Sequence, residues 1–270
     1  MIESNGEQMD YQVLAQIFEE EKNPVEHFYK NHNVVQMESK MLQILQNSHK
    51  QLLFLIGEAG VGKSVFLNYF ATLSSHVDTI KFDVPFFEPV DFVKTLIIKS
   101  DTVVQGHSLV ELIEQVSEIY SKKDTVVIID EAQLLSHSMI ETIRILADSK
   151  AFWFVLAMHK HESQKLLNEP QFVSRPHKVL EMEQLSFDEA KGFVQSSLKR
   201  SDYEYIWPLI EKNFKILYKL SGGNFRDLKK LLHTTFLLVN FALQSGVKKF
   251  SSIDRRVIMM AAIENGLIHV

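Results

Sequence analysis

Residues 52–64 run from an apolar stretch, LLFLI, into a glycine-rich loop, GEAGVGKS (Gly57–Ser64), and on into VFLNYF. Few features restrict a fold more. The loop fits G-x-x-x-x-G-K-[ST], in which glycines let successive backbone N–H groups turn inward onto phosphate oxygens. The pattern has this meaning only where a strand runs in and a helix runs out. The flanking runs predict a strand over 52–56 and a helix after the loop. Lys63 is then placed to neutralise β- and γ-phosphate charge, the Ser64 hydroxyl to ligate Mg²⁺, and the helix to offer its positive N-terminal end to the anion. The expected nucleotide contacts are Gly57, Glu58, Ala59, Gly60, Val61, Gly62, Lys63, Ser64 and Val65.

Such a loop needs a carboxylate at the end of a neighbouring strand, and VVIIDEAQ supplies one. Asp130 is expected, with Ser64, to hold the metal and its water shell. Glu131 is expected to orient and activate the attacking water, which makes hydrolysis the expectation. Two adjacent acids can also close a plain surface turn, but Asp130 follows Gly57 by 73 residues in a chain that already carries the phosphate loop. The guanine-reading pattern N-K-x-D does not occur, which favours ATP.

The remaining chain reads as an alternation. Strands are predicted at 79–84, 125–130, 152–158 and, more weakly, 177–183. Helices are predicted at 34–49, 89–100, 108–122 and 138–148. TVVIID is apolar throughout before its Asp, as expected of a strand buried on both sheet faces. Strand signals stop after Leu185. Helices follow at 186–199, 204–220, 224–243 and 252–265, the first opened by SFDE (Ser186–Glu189) at capping-box spacing. The expected architecture is a P-loop α/β domain, a parallel sheet sandwiched by helices, over 34–185. A smaller all-helical lid follows over 186–270, and a helical extension over 1–33 precedes both. In that extension Met9, Val13, Ile17 and Phe18 sit at helical spacing. It is expected either to pack on the α/β domain or, through Phe18 and Phe28, to face a partner.

The 270 residues contain no cysteine, which excludes disulfides and Cys-based metal sites. The start, MIESNGEQMD, lacks a signal-peptide pattern, and the longest apolar run, FWFVLAM, falls far short of the ~20 residues of a bilayer span. A cytoplasmic location is expected, with membrane association only indirect. The net charge of −5 is uneven. From Ser186 onward there are 13 Lys and Arg against 8 Asp and Glu, and before it 16 against 26. The basic end is either a polyanion-binding face or a solvated helical surface.

GEAGVGKS, VVIIDEAQLL, SRPHKVLEMEQLS and SGGNFRDLKKLL occur in the order and spacing of AAA+ ATPases, and the resemblance spans roughly residues 25–265. DEAQLL and GGNFRDL make the chain most similar to the ExeA/GspA/MshM-type ATPases of secretion, pilus and DNA-uptake machinery. It also resembles TniB/TnsC-type transposition ATPases and, more distantly, Orc/Cdc6 initiators. The resemblance implies Mg-ATP as ligand, homo-oligomers, and a protein partner in such a machine, with DNA as the alternative. It implies three catalytic residues: Lys63, Glu131 and Arg175, the last an arginine finger reaching a neighbouring subunit. Arg226 matches sensor 2, with Gly222 and Gly223 allowing the turn before its helix. At the sensor 1 position, after the fourth strand, the family usually carries a polar residue such as Asn, Thr, Ser or Gln, whereas this chain offers His159. His159 is either a nucleotide-contacting sensor or a strand-end surface residue. The resemblance leaves three functions open: a motor for assembly or remodelling, a DNA-binding ATPase of transposition or replication type, and a slow nucleotide-dependent switch.

Overall fold

The computed structural model describes residues 10–19, 28–47, 49–73, 77–83, 88–168 and 177–268. They fall into two compact units. One is His32–Glu183. The other joins the described parts of Met1–Asn31 and Gln184–Val270. The first helix, α1 (Tyr11–Ile17), belongs to the second unit.

The first unit runs α2 (His32–Asn47), β1 (Leu52–Gly57), α3 (Lys63–Leu73), β2 (Asp78–Phe82), α4 (Pro89–Ile98), α5 (Leu109–Ser121), β3 (Thr125–Ile129), α6 (His137–Asp148), β4 (Trp153–His159), α7 (Lys160–Leu167) and β5 (His177–Glu181). The five strands pair in parallel in the order β2-β3-β4-β1-β5. Alternate residues explain why the central strands read as unbroken apolar runs. Leu52, Phe54 and Ile56 of β1, Val127 and Ile129 of β3, and Phe154, Leu156 and Met158 of β4 share one core with residues of α4, α5 and α6. The intervening Leu53, Leu55, Val126, Ile128, Val155 and Ala157, on the opposite face, are equally buried. Both faces are covered, as the expected sandwich requires. The edge strand β5 keeps only Leu180 buried, which accounts for its weaker signal.

The order of the strands fixes where chemistry can occur. β1 connects past β4 and β3 to β2, whereas β4 connects past β1 to β5. The two chains leave adjacent carboxyl ends in opposite directions. In open parallel sheets such a switch point is where ligands bind.

The second unit contains α1 and then α8 (Phe187–Arg200), α9 (Trp207–Glu211), α10 (Phe214–Ser221), α11 (Phe225–Gln244) and α12 (Arg255–Glu264). Its core gathers Leu14 and Phe18 with Phe193, Leu198, Phe214, Leu228, Phe236, Val257 and Ile258, among others. Ser186 and Glu189 close the capping box that starts α8.

Four sequence expectations differ from this picture. The described helix of the N-terminal segment, α1, buries Tyr11, Leu14, Ala15 and Phe18 in the helical core rather than on the sheet. The buried stripe is therefore 11, 14, 15, 18, and Val13 and Ile17 only flank it. Phe18, 1% exposed, is not free to face a partner. The single helix expected over 204–220 is broken, because Pro208 sits in the first turn of α9 and Asn213 leaves helical geometry to begin α10. Helix α7 went unread because KHESQKLL buries only Ser163 and Leu166, too few apolar positions to give a period.

Candidate functional site

Three neighbouring strand ends build the site. β3, β4 and β1 are consecutive in the sheet, and their carboxyl ends carry Asp130–Glu131, His159 and Gly57 respectively. Gly57 and His159 are register partners, as are Ile129 and Leu156.

The loop after β1 has the conformation its glycines allow. Gly62 lies at φ +102°, where a side chain is strained. Gly57 is glycine for a different reason: a Cβ there would stand 2.6 Å from the Met182 carbonyl oxygen, because the chain leaving β5 still pairs with β1 through Met182 N–H to Ile56 O at 2.8 Å. Lys63 is the first residue of α3 and is buried. Its ammonium donates to the carbonyls of Gly57 at 2.8 Å and Glu58 at 3.0 Å, so the loop closes around its own cation. Ser64 is the next residue of α3 and is exposed, as are Glu58 and Ala59. Gly60 lies at φ +81°, Val61 is buried and Val65 half-buried. A helix N-terminus, a cradle of glycines and one amine form a donor set suited to a polyphosphate.

Asp130 is 5% exposed. Its backbone N–H donates to Phe82 O at 3.1 Å, which extends the β2–β3 pairing, and its carboxylate accepts the Glu131 N–H at 2.9 Å. Glu131 then turns sharply, at φ +51° and ψ +38°, a left-handed conformation that a non-glycine residue holds only against strain. The turn leads into a short 3₁₀ segment, Ala132–Leu134. The Gln133 side-chain amide donates to Glu131 Oε2, and His159 Nε2 lies 3.3 Å from the same oxygen.

The structure thus brings together Gly57–Val65, Asp130, Glu131 and His159. Lys160, next to His159, is engaged elsewhere. Its ammonium pairs with Glu181 at 2.5 Å, and that carboxylate, through hydrogen bond and charge, holds it above the usual lysine range. Arg226 belongs to the helical unit, as the exposed second residue of α11. Asn224 caps that helix by accepting the N–H groups of Arg226 and Asp227. Gly222 and Gly223, both at positive φ, make the preceding turn. Arg175 lies outside the described residues. Sequence reasoning passed over Gln133. Its only signal was its place in DEAQ, and spacing alone cannot reveal that a left-handed turn folds its amide onto Glu131.

Set beside known proteins, residues 11–167 match the AAA domain family. The chain belongs to that family. This AAA protein is a P-loop ATPase and binds nucleotide. No curated protein matches it. Among solved structures it is similar to Cdc6p from Pyrobaculum aerophilum, at 15% identity and a TM-score of 0.61, covering 92% of this chain and 70% of that one. It is also similar to the Aeropyrum pernix ORC1 protein in complex with DNA, at 13% identity and 0.60, covering 93% and 69%. The Thermotoga maritima RuvB Holliday junction branch migration motor matches at 16% identity and 0.52, covering 91% and 72%. At such identities the likeness is one of fold. No described helix of the AAA protein is long and apolar enough to cross a membrane.

The units also redistribute charge. Residues 184–270 hold 13 Lys and Arg against 8 Asp and Glu, whereas residues 1–31 hold 2 against 7. Among the described residues, Asp10, Glu19 and Lys30 bring −1 to the helical unit beside the +5 of residues 184–268.

Proposed function

We propose that the chain hydrolyses Mg-ATP and uses the cycle to assemble or remodel a partner complex. The observation that carries this is the convergence of Lys63, Asp130 and Glu131 on the carboxyl ends of β1 and β3, the two strands that flank β4. Lys63 and the loop N–H groups bind and orient the phosphates. The residues present fit a divalent ion: the buried Asp130 carboxylate and the Ser64 hydroxyl at the head of α3 would hold it. When bound, magnesium neutralises charge on the β- and γ-phosphate oxygens. Glu131 takes the proton of the attacking water. GGNFRDL supports a sensor 2 role for Arg226, which lies in the helical unit. Arg175 serves as an arginine finger in a neighbouring copy, a contribution on the order of 10³–10⁵ in rate.

Two readings of the partner rest on different observations. DEAQLL and GGNFRDL favour a secretion, pilus-like or DNA-uptake machine in the cytoplasm, with the ATPase as a homo-oligomer. The likeness in fold to the ORC1 protein in complex with DNA and to the RuvB branch migration motor supports DNA as the partner. The slow-switch reading rests on His159 at the sensor 1 position. The test is steady-state ATP turnover of the wild type, Glu131→Gln and Arg175→Ala over a range of protein concentrations. Turnover should rise with concentration and fall at least a hundredfold in both variants, while Glu131→Gln retains ATP. Full activity in Glu131→Gln would refute the mechanism, and full activity in Arg175→Ala would refute the shared site. DNA binding by the Glu131→Gln protein with ATP, falling steeply with salt, decides for the DNA partner.

A further inference from the structure

We infer that Gln133 and His159 are positioning residues that act through Glu131, and that His159 is not a nucleotide sensor. The inference rests on Glu131 being the base that activates water. Two side chains from different elements meet one carboxylate oxygen: Gln133 from the 3₁₀ segment after β3, and His159 from the end of β4. Glu131 is itself 42% exposed at its side chain, and without them its rotamers would be unrestrained on the solvent side. The two contacts both fall on Oε2. None of the interactions described for Glu131 falls on Oε1, which leaves that oxygen to take a proton from water.

The Gln133 amide is fixed by more than this one bond. Its Oε1 is buried with no hydrogen-bond partner among the described residues, so the amide cannot swing out to water without leaving its pocket. A buried amide oxygen without a hydrogen-bond partner is unfavourable. The αL backbone at Glu131 is unfavourable as well. Two unfavourable local choices, side by side, hold one carboxylate in one orientation. A surface turn would relax both, since neither Glu131 nor Gln133 contributes to the hydrophobic core.

His159 has the same logic. It is the N-cap residue of α7, yet its side chain makes no capping bond. The imidazole turns to Glu131 instead. At the position where the family usually uses a polar group to touch phosphate, this chain has a ring already committed to the base. A histidine there orients the base, and the γ-phosphate is left to Lys63 and the arginines.

The test is a set of variants in the full chain: Gln133→Ala, His159→Ala, His159→Gln, Glu131→Gln and the double variant Glu131→Gln/His159→Ala. Turnover and KM are measured together with calorimetric affinities for ATP and ADP. Misplacing a catalytic group by about 1 Å costs on the order of a hundredfold. Gln133→Ala and His159→Ala should each lower kcat at least tenfold with KM and both affinities within twofold of wild type. His159→Gln, which can still donate to Oε2, should recover most of the loss. In the Glu131→Gln background, removing His159 should cost nothing more, since both act as one unit. His159→Ala that selectively weakens ATP but not ADP would overturn the inference, because that is the mark of a phosphate sensor. So would a full additional loss in the double variant. Wild-type turnover in Glu131→Gln would instead remove the catalytic reading beneath it. Should His159→Ala fail to fold, Gln133→Ala carries the same comparison.

Discussion

Replacing Phe18 by alanine tests whether the N-terminal helix is part of the helical core. The ring is 1% exposed, with its centroid 5.9 Å from that of Phe236 and 6.4 Å from that of Phe193, nearly perpendicular to the latter. Losing the transfer free energy of a buried phenyl group costs about 2–3 kcal/mol. The two aromatic contacts and the cavity left between α8 and α11 bring the total to about 3–5 kcal/mol. Nothing local offsets this. α1 has seven residues, far too few to be helical by propensity alone; beside the buried Tyr11, Leu14 and Ala15, its polar ties include the Asp10 cap, the His233 ring nitrogen against the Ala15 carbonyl at 2.9 Å, and Asn240 to Gln12. The chain has two tryptophans, Trp153 in β4 and Trp207 in α9, one in each unit. In a Trp153→Phe background, fluorescence therefore reports the helical unit alone. With a urea slope of about 2 kcal/mol per molar, the midpoint seen by Trp207 should fall by about 1.5–2.5 M in Phe18→Ala. A fall of less than about 0.3 M would mean that α1 is not a core element and that its apolar stripe serves another purpose.

Two further substitutions probe the phosphate loop and a helix start. Gly57→Ala should weaken nucleotide binding at least tenfold and lower the melting temperature, because the new methyl stands 2.6 Å from a backbone oxygen that cannot retreat without breaking the β1–β5 pairing. Calorimetry and a thermal scan check it. Asp254→Ala removes the cap of α12, whose carboxylate accepts the N–H groups of Arg256 and Val257 and pairs with the Arg256 guanidinium at 2.6 Å; about 1 kcal/mol should be lost at pH 7. The Arg256 hydrogen bond holds this carboxyl below the ordinary range. The wild-type advantage should therefore be full above about pH 4 and vanish as pH falls through the lower folded value, in denaturation curves taken from pH 7 to 2.

Where the sequence was legible, the reason is physical. A strand buried on both faces must be apolar at every position, so β1, β3 and β4 announce themselves, and the glycine pattern dictates the phosphate loop after β1. Ser186 and Glu189 mark a helix start because the capping box is a local bond pair that needs no tertiary context. The illegible parts depend on partners far away in sequence. The stripe of α1 agrees with the periodic reading at Phe18 but not at Val13 and Ile17, since the register that buries Leu14 and Phe18 is chosen by Phe193 and Phe236 some 180 to 220 residues later. Gln133 was missed because its role depends on a backbone turn of the residue two before it. Asp130 and Glu131 were read correctly as a strand-end pair, yet nothing in VVIIDEAQ says that one is buried and the other held by a histidine from the next strand.

The charge distribution bears on the partner in the same way. Along the chain, the basic C-terminal segment looks like a polyanion-binding end. In the fold, the described part of its unit stays net positive: 13 Lys and Arg against 8 Asp and Glu over 184–268, joined by Lys30 against Asp10 and Glu19. Net charge drives non-specific attraction to DNA through the phosphates neutralised and the counterions released. A small positive excess adds only modestly to that source, so any DNA contact would draw on local basic arrays, such as the pair Lys248–Lys249 and the pair Arg255–Arg256 that opens α12. Arg256 is already paired with Asp254, which leaves less of that array to offer. The stronger constraint on function is therefore the strand-end site, where Lys63, Asp130 and Glu131 each have a defined neighbour.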